Sequence, residues 1–197
     1  MISGTGALTQ NAASTLTLSN TNTYSGGTTI SLGTLNVTNS SALGSGNVSV
    51  AAGGKLEVGA NNLSIANNIT LSGTTTNGAI FSNQPGAGVT TNLTGQITLN
   101  ATSNVSSNWN DKTLQLSGKI TGVGGLDFVL QSTRVGGRYL ITGATNDYAG
   151  ATSVTGNATG QWGYTGQAML YLGATNALPT TTALTLINAD LYLNGQA

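Results

Sequence analysis

The chain has 197 residues, of which only 5% are Asp, Glu, Lys or Arg, and its formal net charge at pH 7 is zero. An ordinary soluble domain carries roughly 25% charged residues, yet 38% of this chain is hydrophobic, which excludes the low-hydrophobicity, high-charge composition of disordered proteins. Its five basic residues, Lys55, Lys112, Lys119, Arg134 and Arg138, are too few for an electrostatic footprint on nucleic acid or an anionic membrane.

In chain order, the apolar residues fall as i, i+2 couples among Thr, Ser, Asn and Gly. They run Leu16/Leu18, Leu35/Val37, Val48/Val50, Leu56/Val58, Leu63/Ile65, Ile69/Leu71, Ile97/Leu99, Leu114/Leu116, Leu170/Leu172, Leu184/Leu186 and Leu191/Leu193. Two inward side chains flanking one outward polar residue describe a strand of three to five residues with one buried face. Between couples stand Gly26-Gly27, Gly44-Ser-Gly46, Gly53-Gly54 and Asn61-Asn62, residues that tolerate positive φ and so predict turns. Short strands with such frequent punctuation predict an all-β coil, a parallel β-solenoid. The alternative is a β-sandwich or jelly roll.

Internal repetition supports the coil. Ile2-Ser-Gly-Thr-Gly-Ala-Leu8 returns as Ile120-Thr-Gly-Val-Gly-Gly-Leu126, and Tyr24-Ser-Gly-Gly-Thr-Thr-Ile30 as Tyr148-Ala-Gly-Ala-Thr-Ser-Val154. Leu35-Asn-Val37 with Ala42-Leu43 then matches Leu170-Tyr-Leu172 with Ala177-Leu178. The expected organisation is one solenoid over 1–197, cut from a longer array. Repeat 1 covers about 2–119; repeat 2 covers about 120–197, is incomplete, and carries an inserted loop at 155–165, since solenoids keep their rungs and vary their connections.

Cys and His are absent, which removes the commonest metal ligands, the usual general base and the thiol nucleophile together. The five acids, Glu57, Asp111, Asp127, Asp147 and Asp190, stand far apart, with no pair set for acid and base roles. Gly4-Thr-Gly6 and Gly122-Val-Gly124 lack the Gly-Lys-Ser/Thr of a phosphate loop. The sequence therefore predicts no catalytic, cofactor or metal site, and no enzyme. The Asn-x-Ser/Thr triplets at Asn36, Asn47, Asn68 and Asn92 read as side chains that hydrogen-bond along the coil axis, and Arg134 with Arg138 as solvated loop charges. The candidate contact residues are Trp162 and Tyr164 in the inserted loop, with Trp109 as a second platform, because large rings in Gly-rich excursions stack on sugars or partner surfaces. No signal-peptide pattern and no 18-residue apolar run is visible, so direct membrane insertion of this segment is not expected.

The run from Leu16 to Val37, LTLSNTNTYSGGTTISLGTLNV, followed by Ala42-Leu-Gly-Ser-Gly and Lys55-Leu-Glu-Val58, resembles the autotransporter-associated β-strand repeat of bacterial passenger domains. The resemblance is close over residues 2–71 and looser over 114–197. It implies a right-handed parallel β-helix, displayed extracellularly or on the bacterial outer-membrane surface. The expected function is a non-catalytic, adhesin-like scaffold segment; glycan binding or ice binding by the solenoid is the alternative. Candidate partners are a glycan, a cell-surface or matrix protein, and a second copy of the chain stacked head to tail; nucleic acid is not one.

Overall fold

The computed structural model of the chain describes residues 1–74, 79–86, 88–107, 112–131, 137–157 and 167–193. Among these residues the protein is all-β and parallel, a solenoid of about seven turns. The first two coils are carried by β1 (Leu8–Leu18) and β2 (Thr28–Val37), and the third by β3 (Val48–Val58) with β4 (Ser64–Ile65). Each later coil splits into shorter pieces. The fourth holds β5 (Ile69–Ser72), β6 (Ile80–Ser82) and β7 (Thr90–Leu93), and the fifth β8 (Ile97–Leu99), β9 (Ser103–Ser107) and β10 (Thr113–Leu116). The sixth holds β11 (Ile120–Gly122), β12 (Leu126–Leu130) and β13 (Gly137–Ile141). The last strands are β14 (Thr152–Thr155), β15 (Ala168–Leu172), β16 (Leu184–Ile187) and β17 (Ala189–Leu193).

Three faces result. One stacks β5, β8 and β11 on the first half of β3, and a second stacks β6, β9, β12, β14 and β16 on its second half. The third is a separate six-stranded sheet of β4, β7, β10, β13, β15 and β17. Parallel pairing throughout these ladders replaces the antiparallel hairpins that a sandwich requires.

Strands β1 to β3 run 10 or 11 residues, longer than the three to five residues read from the sequence, because they continue around a corner of the coil. Gly53-Gly54, expected to end a strand, lie inside β3, and Gly54 pairs in register with Gly33. A Cβ on Gly54 would overlap the Ile30 carbonyl, and one on Gly33 the Ala12 carbonyl. Glycine at this corner therefore lets successive backbones approach closely enough to keep their pairing through the bend. At Asn62 the expected turn does form, with φ of 55°.

The apolar couples line the interior in axial files. The longest runs Leu16, Leu35, Leu56, Ile80, Val105, Phe128, Val154 and Leu186, one residue per coil, set by strand register. From Leu35 to Val154 every member is fully buried, which at about 1.5–3 kcal/mol per buried large side chain makes each file a major term in stability. Phe128 meets Tyr139 of the third face with ring centroids 4.9 Å apart, so facing walls of the coil touch directly. Of the Asn residues expected to bond along the axis, Asn92 accepts from Ser117 at 2.7 Å and Asn68 from the Gln96 amide at 2.9 Å, whereas the buried Asn36 Oδ1 has no hydrogen-bond partner among the described residues. Ser153 also donates to Asp127 at 2.7 Å and Gln115 to Thr142 at 2.9 Å.

A buried network holds the coil at two places that the sequence repeat relates. The Asn22 side chain accepts from the Ile2 amide at 2.7 Å and donates to the Ala42 carbonyl at 2.7 Å, while Tyr24 and Thr28 share a hydroxyl contact of 2.6 Å. Asn146 does the same between the Ile120 amide and the Ala177 carbonyl, both at 2.7 Å, and Tyr148 and Thr152 share a contact of 2.5 Å. Each Asn thereby ties three consecutive coils, satisfying backbone groups that leave the ladder at a corner. Burial raises the pKa of both phenols above the usual tyrosine value, so they remain neutral hydroxyls.

Candidate functional site

Trp109, Trp162 and Tyr164 lie outside the described residues. The strands that bracket them are placed, however. Trp109 falls between β9 and β10, and Trp162 and Tyr164 between β14 and β15.

The described carboxylates are dispersed, each with its own surroundings. Glu57 pairs with Lys55 at 3.0 Å and accepts from Asn83 at 3.0 Å, while Lys55 also lies 4.8 Å over the Phe81 ring. Asp127 accepts from Ser153. Asp147 pairs with Lys119 at 2.7 Å, and that hydrogen bond, with one from Thr121, holds its pKa below the usual carboxylate value. Among the described residues no three His, Cys, Asp or Glu side chains gather as a metal cluster, and no helix is long and apolar enough to cross a membrane.

Arg138, read from the sequence as a loop charge, belongs instead to β13; Arg134 lies outside the described residues. Hydrophobic residues on both sides made the segment a strand: Tyr139 and Ile141 point inward and are fully buried, so Arg138 and Leu140 point outward. Lys112, at the corner before β10, is 2% exposed, and burial holds its pKa below the ordinary lysine value.

The outer surface of the six-stranded sheet is the most distinctive region of the molecule. Register sets two outward files, Thr90, Thr113, Arg138, Met169 and Asp190, and beside it Asn92, Gln115, Leu140, Tyr171 and Tyr192. Tyr171 and Tyr192 stack with centroids 4.6 Å apart and an 11° angle between rings. The Tyr171 hydroxyl points to the Met169 sulfur at 3.6 Å. Next to them a cavity of about 190 Å³ is lined by Thr113, Arg138, Leu140 and Tyr171. The sequence carried a signal for this pair: Leu-Tyr-Leu occurs at 170–172 and 191–193, a separation of one coil, and the inward leucines force the tyrosines out.

A different surface carries a file of hydroxyls. Thr9, Thr29, Ser49, Thr70, Thr98 and Thr121 are successive register partners. Their spacing in sequence varies from 20 to 28 residues because connections differ in length, which is why no regular face could be read from the sequence. One residue before these strands, the carbonyls of Asn47, Asn68, Gln96 and Lys119 accept from the Thr28, Val48, Ile69 and Ile97 amides.

A family model, the passenger-associated transport repeat, matches residues 8–37. The match starts on the first residue of β1 and stops on the last of β2, so it spans one rung, the Asn22–Tyr24–Thr28 network and the next rung. A curated relative, the adhesin BmaC autotransporter of Brucella suis biovar 1 (strain 1330), is 35% identical over 155 residues, which is 78% of this chain. The chain belongs to the autotransporter passenger-repeat family. It spans 4% of the length of that adhesin. No solved structure matches the chain. Within the passenger-repeat chain, the Tyr171–Tyr192 surface lies outside the residues 8–37 that the family model matches.

Proposed function

We propose that this chain is a non-catalytic stretch of a surface-displayed, adhesin-like passenger, in which stacked rungs supply length and rigidity and contacts with a glycan or a cell-surface or matrix protein are made from the flank. The observation that carries the reading is the coincidence of the passenger repeat with one complete rung-to-rung unit of a continuous parallel ladder. The kinship with an adhesin, the scattered carboxylates, and the lack of His and Cys support it. The kinship with autotransporter passengers, which are exported to the cell surface, supports an extracellular or outer-membrane-surface location.

The test uses beads coated with the chain, measured for retention on immobilised matrix proteins and epithelial cells, with a parallel reducing-end assay on a polysaccharide panel. Retention without release of reducing ends is the expected result. Cleavage that disappears with Asp127→Asn or Glu57→Gln would overturn the proposal.

The same reading extends to end-to-end association of the isolated segment. On the last described rung Leu186, Ile187 and Leu193 are 41%, 49% and 61% exposed, although Leu186 and Leu193 continue interior files. Apolar rungs with open strand edges and little charge favour stacking. Sedimentation at increasing concentration should show growing species, reduced by Leu193→Lys. A monomer at every concentration contradicts it.

A further inference from the structure

We propose that the outer surface of the six-stranded sheet binds an oligosaccharide, with one pyranose ring seated in the cavity between Tyr171, Leu140, Arg138 and Thr113. The inference goes beyond the scaffold reading, which stands without it.

The geometry of Tyr171 comes first. Its ring is held almost parallel to Tyr192 at 4.6 Å, so one face is covered by the partner on β17. The cavity reaches from β10 across β13 to β15 and is not lined by Tyr192, which places it on the opposite side of Tyr171. A pre-oriented aromatic face therefore forms one wall. Leu140, the register partner of Tyr171 on β13, extends the apolar floor.

Polar groups stand on the other side. Arg138 and Thr113 are register partners in the adjacent file, giving a guanidinium and a hydroxyl about 4.8 Å apart along the axis at their backbones. The site thus offers a flat apolar wall beside a file of hydrogen-bonding side chains. A pyranose has the matching form, with C–H bonds on its faces and hydroxyls around its rim. At about 190 Å³ the cavity is smaller than the roughly 300–1,000 Å³ of pockets for drug-sized ligands, and suits a single ring of a longer chain. The outward files continue from it as Thr90, Asn92 and Gln115, side chains able to bond successive sugar hydroxyls.

Other occupants fit less well. An extended peptide that adds to a sheet needs an open strand edge, whereas these residues lie on the face of paired strands. A hydrophobic protein interface needs a far larger continuous apolar area.

The experiment is a titration of the intact chain with cellohexaose, chitohexaose and hexagalacturonate, followed by heteronuclear NMR and calorimetry. Binding of at least one hexasaccharide in the millimolar range or tighter is expected. Tyr171→Ala should weaken it at least tenfold while the circular dichroism spectrum stays unchanged. Leu140→Trp, which fills the cavity and leaves the tyrosine in place, should weaken it to a similar extent and guards against a folding defect in the first variant. Tighter binding of hexagalacturonate, lost in Arg138→Gln, would identify a sugar carboxylate at the guanidinium; equal binding of neutral and acidic chains would support ring stacking alone. Failure of all three hexasaccharides to bind, or binding that survives both Tyr171→Ala and Leu140→Trp, overturns the site. Bead retention with no hexasaccharide binding would leave the adhesin-like reading intact and remove only this site.

Discussion

Asn146→Ala should lower the thermal midpoint of the chain by about 10 °C. The side chain accepts from the Ile120 amide and donates to the Gly143 and Ala177 carbonyls, at 2.7, 3.0 and 2.7 Å, in a site where Asn146 is 5% exposed. Truncation leaves these backbone groups unpaired, at about 1–3 kcal/mol for each that stays buried, so a total near 3 kcal/mol follows. For a chain of 150–250 residues each kcal/mol shifts the midpoint by about 2–4 °C. Scanning calorimetry checks it. Asn22→Ala should cost less, because its upper partner Ile2 is 42% exposed and water can replace the lost bond. Equal, negligible effects at both positions would show that the network does not tie the coils together. Thr29→Ala, in the exposed hydroxyl file, should change stability by less than about 0.5 kcal/mol and serves as the reference.

Phe128→Ala should be the more damaging substitution, at about 4 kcal/mol, within the usual range for removing a buried phenylalanine. Phe128 is fully buried in β12, flanked in its file by Val105 and Val154. Its ring also meets Tyr139, whose hydroxyl donates to the Val129 carbonyl at 2.8 Å, so the substitution empties the centre of the coil and loosens the opposite wall. Urea denaturation gives the magnitude. Hydrogen exchange gives the location: since each coil contacts chiefly its neighbours, amides of β9, β12, β13 and β14 should lose protection first, while β1 and β2 keep theirs. Uniform loss along the chain would mean that the solenoid unfolds as one unit.

Much of the fold was legible in the sequence because the coil has a simple physical grammar. The couples Leu35/Val37, Val48/Val50, Leu56/Val58 and Ile97/Leu99 are fully buried rungs, as period-2 alternation requires. Strand β9 escaped notice because its sequence is Ser-Asn-Val-Ser-Ser, in which Ser103 and Ser107 occupy inward positions and are fully buried; serine carries no hydrophobic signal. The length of β3 was misjudged because Gly53-Gly54 read as a turn, whereas here Gly54, paired with Gly33 of β2, permits a bend with the ladder intact. Long-range register was beyond reach, since connections of different length conceal which residues stack. That concealment hid the hydroxyl file and placed Arg138 in a loop. The Asn22 and Asn146 networks left a faint trace, Asn-x-Tyr followed four residues later by Thr, at both copies. The aromatic residues favoured from the sequence, Trp109, Trp162 and Tyr164, drew attention by size and Gly-rich setting. The pair that the structure does bring together, Tyr171 and Tyr192, looked like ordinary strand residues between leucines.

The most direct measurement is the distance between spin labels on Cys residues introduced at Thr9 and Thr121, which is simple in a chain with no cysteine of its own. These positions point outward and are separated by five register steps, through Thr29, Ser49, Thr70 and Thr98. At about 4.8 Å per step their backbones lie about 24 Å apart. A narrow distribution near that value, shortening by one rung when the first label moves to Thr29, is the result that a continuous parallel coil predicts. A broad distribution, or a distance that does not change with the rung, would contradict it.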